Sequence, residues 1–285
     1  MSTPTKFSLR RLLVHLFLIT FTGLTLLPVL LVLRKAVTPG QEFELTLNPI
    51  PSQITLEHFI NVVSHTGTGG VWLFGRQLLN SLIVSGLTTI LGVFLACTAA
   101  YALSRFRFPG RRTGLMSFLV VQMFPATLLM IPMYVLLGSL GLLNSMAGLV
   151  LVYSTTAIPF CVFMLKGYFD TIPRELEEAA LIDGASRIKI FYAIILPLAR
   201  PAIAVTALFS FMTAWNEYIL AATFLNKETA YTLPVLLKAY VGEHGSTEWG
   251  SFAAGAILVS IPVVALFYAL QKNLVAGLTA GGVKG

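Results

Sequence analysis

The chain alternates long apolar runs with shorter polar connections. A helix that crosses the roughly 30 Å apolar core of a bilayer needs about 20 residues. The runs of that length cover residues 12–33, 79–103, 114–138, 146–168, 201–224 and 251–271. This pattern predicts an all-α membrane protein with six transmembrane helices. The first run is too long for a cleaved signal peptide and no small-x-small site follows it, so we expect it to be retained.

Lys and Arg residues are distributed unevenly among the connections. With both termini cytoplasmic, fourteen of the 19 basic residues fall on the cytoplasmic side. The five on the outer side are Arg34, Lys35, Arg76, Lys227 and Lys238. Cytoplasmic connections of membrane proteins carry the excess of Lys and Arg. We therefore predict cytoplasmic termini, with Arg34 and Lys35 as a local exception.

Composition agrees with a membrane protein. Hydrophobic residues make up 56% of the chain and charged residues 11%, against about 25% charged residues in soluble domains. The net charge of +7 follows from the predicted topology, so no nucleic-acid partner is expected. Cys97 and Cys161 lie inside apolar runs, which argues against a disulfide framework. The four histidines share no ligand-like spacing, so we expect no metal site.

The connection between the fourth and fifth runs, residues 166–200, carries the most information. Pro173 suits the first turn of a helix, and the acidic residues after it suit the positive end of the helix dipole. Gly184 is typical of a helix end, and a second helix is predicted from Ser186 to Leu196. The pattern predicts a helix-turn-helix. From the residues alone, it is either a docking surface for another protein or a solvated amphipathic loop.

The spacing of Glu178-Ala179-Ala180, Gly184 and Ile194-x-Leu196-Pro197 resembles the EAA loop of bacterial ABC importer permeases. The resemblance implies that this cytoplasmic connection docks onto an ATP-hydrolysing subunit and transmits its closure to the membrane helices. The docking residues that it implies are Glu177, Glu178, Ala179, Ala180, Asp183, Gly184, Ile194, Leu196 and Pro197.

Other segments narrow the resemblance. Residues 104–111, 166–185 and 215–218 are similar to carbohydrate-uptake permeases, and residues 273–285 resemble the second membrane subunit of maltose importers, the MalG type. The resemblance implies binding-protein-dependent, ATP-driven import of maltose- or maltodextrin-like sugars across a bacterial cytoplasmic (inner) membrane. It implies three kinds of partner: a second permease subunit in a heterodimer, a dimer of ATP-binding subunits and an extracytoplasmic sugar-binding protein. Maltose, maltodextrin and trehalose all remain open as substrates.

The same interpretation divides the chain into three parts. Residues 1–78 are an N-terminal helix and outer segment, residues 79–271 are the permease core, and residues 272–285 are a cytoplasmic tail. The core includes the 166–200 connection and an outer connection, residues 225–250.

The sequence lacks the phosphate-binding pattern Gly-x-x-x-x-Gly-Lys-Ser/Thr of ATPases. We therefore expect no enzyme activity and no cofactor on this chain, with ATP and Mg bound by partner subunits. The alternative is a secondary transporter driven by an ion gradient. Such a transporter would need several intramembrane carboxylates, whereas Glu217 alone lies well inside a predicted span.

Two further groups are candidates for contact with the sugar or its binding protein. Trp215, Asn216, Glu217 and Tyr218 combine a carboxylate with aromatic and amide groups that suit a sugar pathway, because intramembrane carboxylates usually face the interior of the helix bundle. The alternative is a structural polar cluster or an interfacial anchor. The 225–250 connection resembles the loop that reaches into the binding protein; its alternative is a passive connector. The candidate residues in this connection are Tyr240, Gly242, Gly245 and Ser246.

Overall fold

The computed structural model describes residues 9–42, 46–67, 69–242 and 247–282. Within these ranges the chain is helical, and a single β-bridge joins Thr66 to Trp72. The helices are α1 (Leu9–Val37), α2 (Glu57–Val63), α3 (Leu73–Arg105), α4 (Arg111–Met123), α5 (Ala126–Ser139), α6 (Met146–Phe169), α7 (Glu175–Ile182), α8 (Arg187–Ile190), α9 (Leu196–Leu198), α10 (Arg200–Trp215), α11 (Ile219–Phe224), α12 (Leu233–Ala239) and α13 (Trp249–Gly282). A π-helical turn, Phe191–Ile195, joins α8 to α9, and a 3-10 turn, Glu228–Ala230, precedes α12.

Among the described residues, four helices are long and apolar enough to cross a membrane: α1, α3, α6 and the Trp249–Lys272 part of α13. The number rises to six when two bent pairs each count as one span. Arg111–Met123 and Thr127–Ser139 form one pair, bent by 103°, and Arg187–Leu198 and Arg200–Trp215 form the other, bent by 78°. The predicted six spans therefore correspond to the larger number.

Two predicted runs are not continuous helices. The run 114–138 breaks between α4 and α5, because Phe124 is extended (ψ 125°) and precedes Pro125, whose ring disfavours the helical conformation of the residue before it. The run 201–224 breaks between α10 and α11, so the prediction of one helix across residues 216–218 is wrong. The side chain of Glu217 supplies the physical reason, described below.

The chain divides into two compact units. One combines the residues up to His65 with Leu237–Ser260, and the other combines Thr66–Leu236 with the residues from Ile261 onward. In the second unit α3 packs along α6 and α10. One apolar cluster there joins α3 and α6 to the 166–200 connection through buried residues that include Leu165, Phe169, Ile190 and Ile195. Another cluster contains Val84, Tyr153 and Leu220.

In the first unit a buried polar network connects the segment after α1 to α2 and to the start of α13. The His58 ring, 2% exposed, lies 2.9 Å through Nε2 from the Thr38 carbonyl and 3.3 Å through Nδ1 from the Gln41 amide nitrogen. Gln41 donates to the Ser251 hydroxyl (3.0 Å) and accepts from the Gly250 backbone amide (2.9 Å). A Cβ at Gly250 would lie 2.4 Å from the His58 ring, so glycine is required there.

Candidate functional site

The helix α7 begins at Glu175 and ends in a glycine turn. Gly184 adopts φ +79°, the left-handed region that glycine enters without a Cβ penalty. Its amide donates to the Leu181 carbonyl (3.0 Å), and the Ala185 amide donates to the Ala180 carbonyl (2.9 Å). This pair of bonds is the Schellman arrangement, which satisfies the last carbonyls of a helix.

One face of α7 is held against α3. The Glu177 carboxylate is buried and accepts hydrogen bonds from the Tyr101 hydroxyl (3.0 Å) and from Nε of Arg105, with which it also forms an ion pair. Arg105 also donates to the Ile172 carbonyl (3.0 Å). The side chains of the pair are 5% and 9% exposed. The predicted docking residue Glu177 therefore has its partners within this chain.

A second contact fixes the start of the connection. The Asp170 carboxylate accepts from the Ser104 hydroxyl and from Nζ of Lys166, each at 2.6 Å. Arg174 donates to the Ser104 carbonyl (3.2 Å). Partial burial raises the pKa of Asp170, but the bonds from Lys166 and Ser104 outweigh it and hold the pKa below its usual value. The end of α6 is therefore tied to the end of α3 by a carboxylate in its charged form.

The other face of α7 is open. Glu178, Ala179, Asp183 and Gly184 are exposed, and Ala180 is half-buried against the core. The tip of the connection also exposes large apolar side chains, with Ile182 at 87% and Ile188 at 72%. Charged residues stand beside them in sequence, which makes this exposed surface a candidate for contact with a protein partner.

The second half of the connection leads directly toward α10. The Ser186 hydroxyl caps α8 by accepting from the Lys189 amide (3.3 Å). The π turn follows, in which the Leu196 amide donates to the Phe191 carbonyl. This wider turn precedes Pro197, whose ring would meet the carbonyl four residues earlier in a regular α-helix. The helix therefore continues to Leu198, two residues beyond the predicted end at Leu196.

The chain bends by 78° between Leu198 and Arg200. Pro201, at the start of α10, has no amide proton to donate to the Pro197 carbonyl, which permits the bend. Ala199 at the bend is fully buried. Of the predicted docking residues in this half, Ile194 and Leu196 are half-buried against the core and Pro197 is exposed.

The break between α10 and α11 is stabilised by Glu217. Its carboxylate accepts from the backbone amides of Leu220 (2.9 Å) and Ala221 (3.0 Å), and from the Tyr153 hydroxyl on α6 (2.8 Å). The first amides of a helix have no partner within the helix, and their positive end favours a carboxylate. Glu217 therefore competes with a continuous helix by capping a new one, which apolar periodicity does not reveal.

The neighbours of Glu217 have different environments. Trp215 is 1% exposed, and its ring stacks on Phe211 with centroids 5.5 Å apart. Asn216 is exposed at the end of α10, and Tyr218 is half-buried at the start of α11. A sugar could therefore reach Asn216 and Tyr218 more readily than Trp215; the pathway role of all four residues stays a prediction.

In the 225–250 connection, Tyr240 is buried in the first unit. Its ring meets the His65 ring edge-on, with centroids 6.1 Å apart, and its hydroxyl has no hydrogen-bond partner among the described residues. Burial, together with the Glu248 carboxylate, raises the pKa of Tyr240 to about 12. Gly242 is half-buried, while Gly245 and Ser246 lie outside the described residues. The contact of these residues with a binding protein stays a prediction.

Within the part of the chain that the structure describes, no group of three or more His, Cys, Asp or Glu residues could hold a metal ion. The structure shows a connection held against α3 on one face and exposed on the other, and a helix broken by a capping carboxylate.

Comparison with known proteins gives a consistent result. The family described as "Binding-protein-dependent transport system inner membrane component" matches residues 66–280. The chain is 36% identical to the maltodextrin transport system permease protein MdxG of Bacillus subtilis (strain 168), over the whole of both chains. It is 39% identical, over 96% of each chain, to the galactooligosaccharides transport system permease protein GanQ of the same organism.

Solved structures share the fold. A bacterial ABC transporter involved in the import of the acidic polysaccharide alginate has a chain that matches with a TM-score of 0.76. The match covers 95% of this chain and 99% of that chain at 23% identity, a level that supports the fold alone.

Proposed function

The chain belongs to the family of binding-protein-dependent transport system inner membrane components, and from that premise we propose that it is one permease subunit of an ATP-driven importer of maltodextrin-like sugars. The relatives named for maltodextrin and galactooligosaccharides support an oligosaccharide as the substrate. The proposed partners are a second permease subunit, two ATP-binding subunits that hold ATP and Mg, and an extracytoplasmic sugar-binding protein.

The two-sided character of α7 carries this proposal. Glu177 faces inward and ties α7 to Tyr101 and Arg105 of α3, whereas Glu178 faces outward beside the exposed tip. A segment that only linked two spans would not require a buried ion pair on one side and exposed isoleucines on the other. This arrangement suits a surface that receives a partner and passes its movement to the membrane helices.

In the proposed mechanism, ATP binding closes the partner subunits and moves the 166–200 connection. Movement of α7 reaches α3 through the Glu177 contacts, and movement of α8 and α9 reaches α10 through the bend at Ala199. Because α3 and α10 pack on each other and on α6, the helices tilt together. The pathway then opens outward toward the loaded binding protein, and ATP hydrolysis returns it to the inward-facing state.

This mechanism places the 166–200 connection and both termini in the cytoplasm. The proposed division is residues 1–78 as N-terminal helix and outer segment, residues 79–271 as permease core and residues 272–285 as cytoplasmic tail. On the opposite side, the 225–250 connection faces the binding protein. We assign Glu217 to maintaining the break between α10 and α11, since its carboxylate already accepts three hydrogen bonds.

Uptake of radiolabelled maltodextrin by the complex reconstituted in liposomes tests the proposal. We expect uptake only with the binding protein outside and ATP at the nucleotide-binding face, and competition by unlabelled maltodextrin but not by lactose. If only galactooligosaccharides compete, the substrate assignment would have to be revised, while the proposed mechanism would stand. Uptake driven by a proton or sodium gradient without ATP would contradict the mechanism and favour a secondary transporter.

A further inference from the structure

The first unit contains a cavity of about 460 Å³ lined by α1, by α13 and by Thr38, Thr46 and Leu47, which follow α1 in the chain. Its size falls within the roughly 300–1,000 Å³ of small-molecule sites. The residues that decide its chemistry are Leu31, Arg34 and Lys35 on α1 and Trp249, Phe252 and Ala256 on α13. Residues three and four apart share a helix face, so each helix presents one continuous face to the cavity.

The cavity has a basic, aromatic end and an apolar end. The Trp249 amide donates to the Gln41 carbonyl (3.0 Å), so the start of α13 lies beside the chain that follows α1. Nζ of Lys35 reaches the same region, where it donates to the Gly40 carbonyl (3.1 Å). The two helices therefore run in opposite directions, which places Leu31 and Ala256 at the far, apolar end.

This combination matches one class of ligand. An acyl chain suits the apolar end, and the short side chain of Ala256 leaves room for it. Lys and Arg at the membrane surface attract acidic headgroups, and Trp is enriched at the level of the headgroups. An ammonium has three N–H donors, so a bond from Lys35 to Gly40 is compatible with one to a phosphate oxygen. A water-soluble anion would leave the apolar end unfilled.

We propose that this cavity binds an acidic phospholipid, with the phosphate at Arg34 and Lys35 and one acyl chain between α1 and α13. The site would explain why Arg34 and Lys35 lie on the outer side, against the cytoplasmic excess of Lys and Arg in the other connections. The proposed site does not involve the transported sugar. The bound phospholipid would hold the end of α1 against the start of α13.

Fluorescence of Trp249 provides a direct test, because the chain contains only three tryptophans. The full chain, with any subunits that co-purify, is placed in nanodiscs containing phosphatidylglycerol or phosphatidylcholine brominated on the acyl chains. Subtracting the signal of Trp249→Phe isolates the Trp249 contribution. We expect brominated phosphatidylglycerol to quench it at a severalfold lower mole fraction than brominated phosphatidylcholine.

Variants separate the two ends of the site. Lys35→Gln and Arg34→Gln should each reduce the preference for phosphatidylglycerol by about fivefold, whereas Lys227→Gln, an exposed basic residue in the second unit, should leave it unchanged. Ala256→Leu should reduce quenching by both lipids, because it fills the apolar end.

Two results would overturn the proposal. Equal quenching of the Trp249 contribution by both lipids would exclude recognition of an acidic headgroup, and this comparison needs only the Trp249→Phe variant, which leaves Arg34, Lys35 and Ala256 in place. Absence of quenching by either lipid, with crosslinks from position 256 to a co-purifying subunit, would identify a protein chain as the occupant.

Discussion

The Glu177 carboxylate accepts a hydrogen bond from the Tyr101 hydroxyl at 3.0 Å, across 76 residues of sequence. The contact fixes the first helix of the 166–200 connection on α3, and the ion pair with Arg105 reinforces it. It also separates two adjacent acidic residues by environment: Glu177 is buried in these contacts, whereas Glu178 is exposed, where we propose that it meets a partner.

We predict that Glu177→Ala destabilises the chain much more than Glu178→Ala. Removing one member of a buried ion pair leaves an uncompensated charge and costs about 3–5 kcal/mol, whereas an exposed substitution changes stability by about 0.5 kcal/mol or less. Thermal unfolding of the purified full chain in detergent measures both. Equal melting temperatures for the two variants would contradict the structural role of Glu177.

The proposed docking surface predicts that a change at Glu178 affects transport even though it hardly affects stability. Glu178→Arg should reduce ATP-driven uptake by about tenfold or more while the chain remains inserted. The Glu178 carboxylate is expected to meet a basic partner, and two like charges brought together at an interface cost several kcal/mol. Arg112→Glu, an exposed charge reversal in α4 away from the predicted docking residues, is the matched control and should retain uptake. Normal uptake by Glu178→Arg would count against the proposed coupling surface.

The turn at Gly184 can be tested through its backbone. A residue with a Cβ loses about 1–2 kcal/mol in the left-handed region, although Asn adopts it more readily. Gly184→Val should therefore loosen the turn, increase cleavage of the 166–200 connection in limited proteolysis and reduce uptake. Gly184→Asn should stay closer to the wild type in both assays. If Gly184→Val and Gly184→Asn behave alike in proteolysis and uptake, the left-handed backbone conformation at this position does not determine the stability of the turn.

Substitutions at Glu217 distinguish a structural carboxylate from a sugar ligand. Glu217→Ala leaves the Leu220 and Ala221 amides without their acceptor, and each unsatisfied buried group costs about 1–3 kcal/mol. Tyr153→Phe removes only the third contact and should cost less. We expect Glu217→Ala to lower the melting temperature more than Tyr153→Phe does. In the uptake assay, both variants should keep the half-saturating sugar concentration of the wild type. A changed half-saturation with wild-type stability would assign Glu217 to the pathway.

Tyr240 should ionise only at strongly alkaline pH. Burial favours the neutral phenol, so its pKa of about 12 exceeds the usual value of about 10. The stabilisation from the neutral form is complete below pH 10 and is lost as the pH rises toward 12. The difference in tyrosinate absorbance between the wild type and Tyr240→Phe should therefore appear near pH 12; a midpoint near 10 would show that the ring is exposed. Tyr240→Phe should fold normally, because the hydroxyl has no partner among the described residues.

Apolar periodicity predicted where the long apolar runs lie, because lipid imposes it directly on sequence; the described residues form four spans, or six if each bent pair is one span. Apolar periodicity did not predict the break at residues 216–218, because it carries no signal for a carboxylate that caps the Leu220 and Ala221 amides. The third contact, from Tyr153, is 64 residues away from Glu217 in sequence. The break at Phe124 and Pro125 had a local signal in the proline, but proline is also tolerated inside membrane helices. Sequence alone therefore did not separate a kink from a break.

The spacing in the 166–200 connection indicated the position of the candidate site, but not which face of α7 points outward. Glu177 and Glu178 are chemically equivalent, and only the packing of α3 distinguishes them. The network of Gln41, His58 and Ser251 had no sequence signal, because its members are separated by up to 210 residues and none belongs to a recognisable motif.

The exposed tip at Ile182 has a consequence for cellular quality control. In the proposed importer, a copy of this chain that has not assembled would expose isoleucines that a docked partner covers, which is the kind of surface that chaperones and proteases recognise. Surplus copies should then be removed, and the abundance of the subunit would follow that of its neighbours without any regulation of its gene.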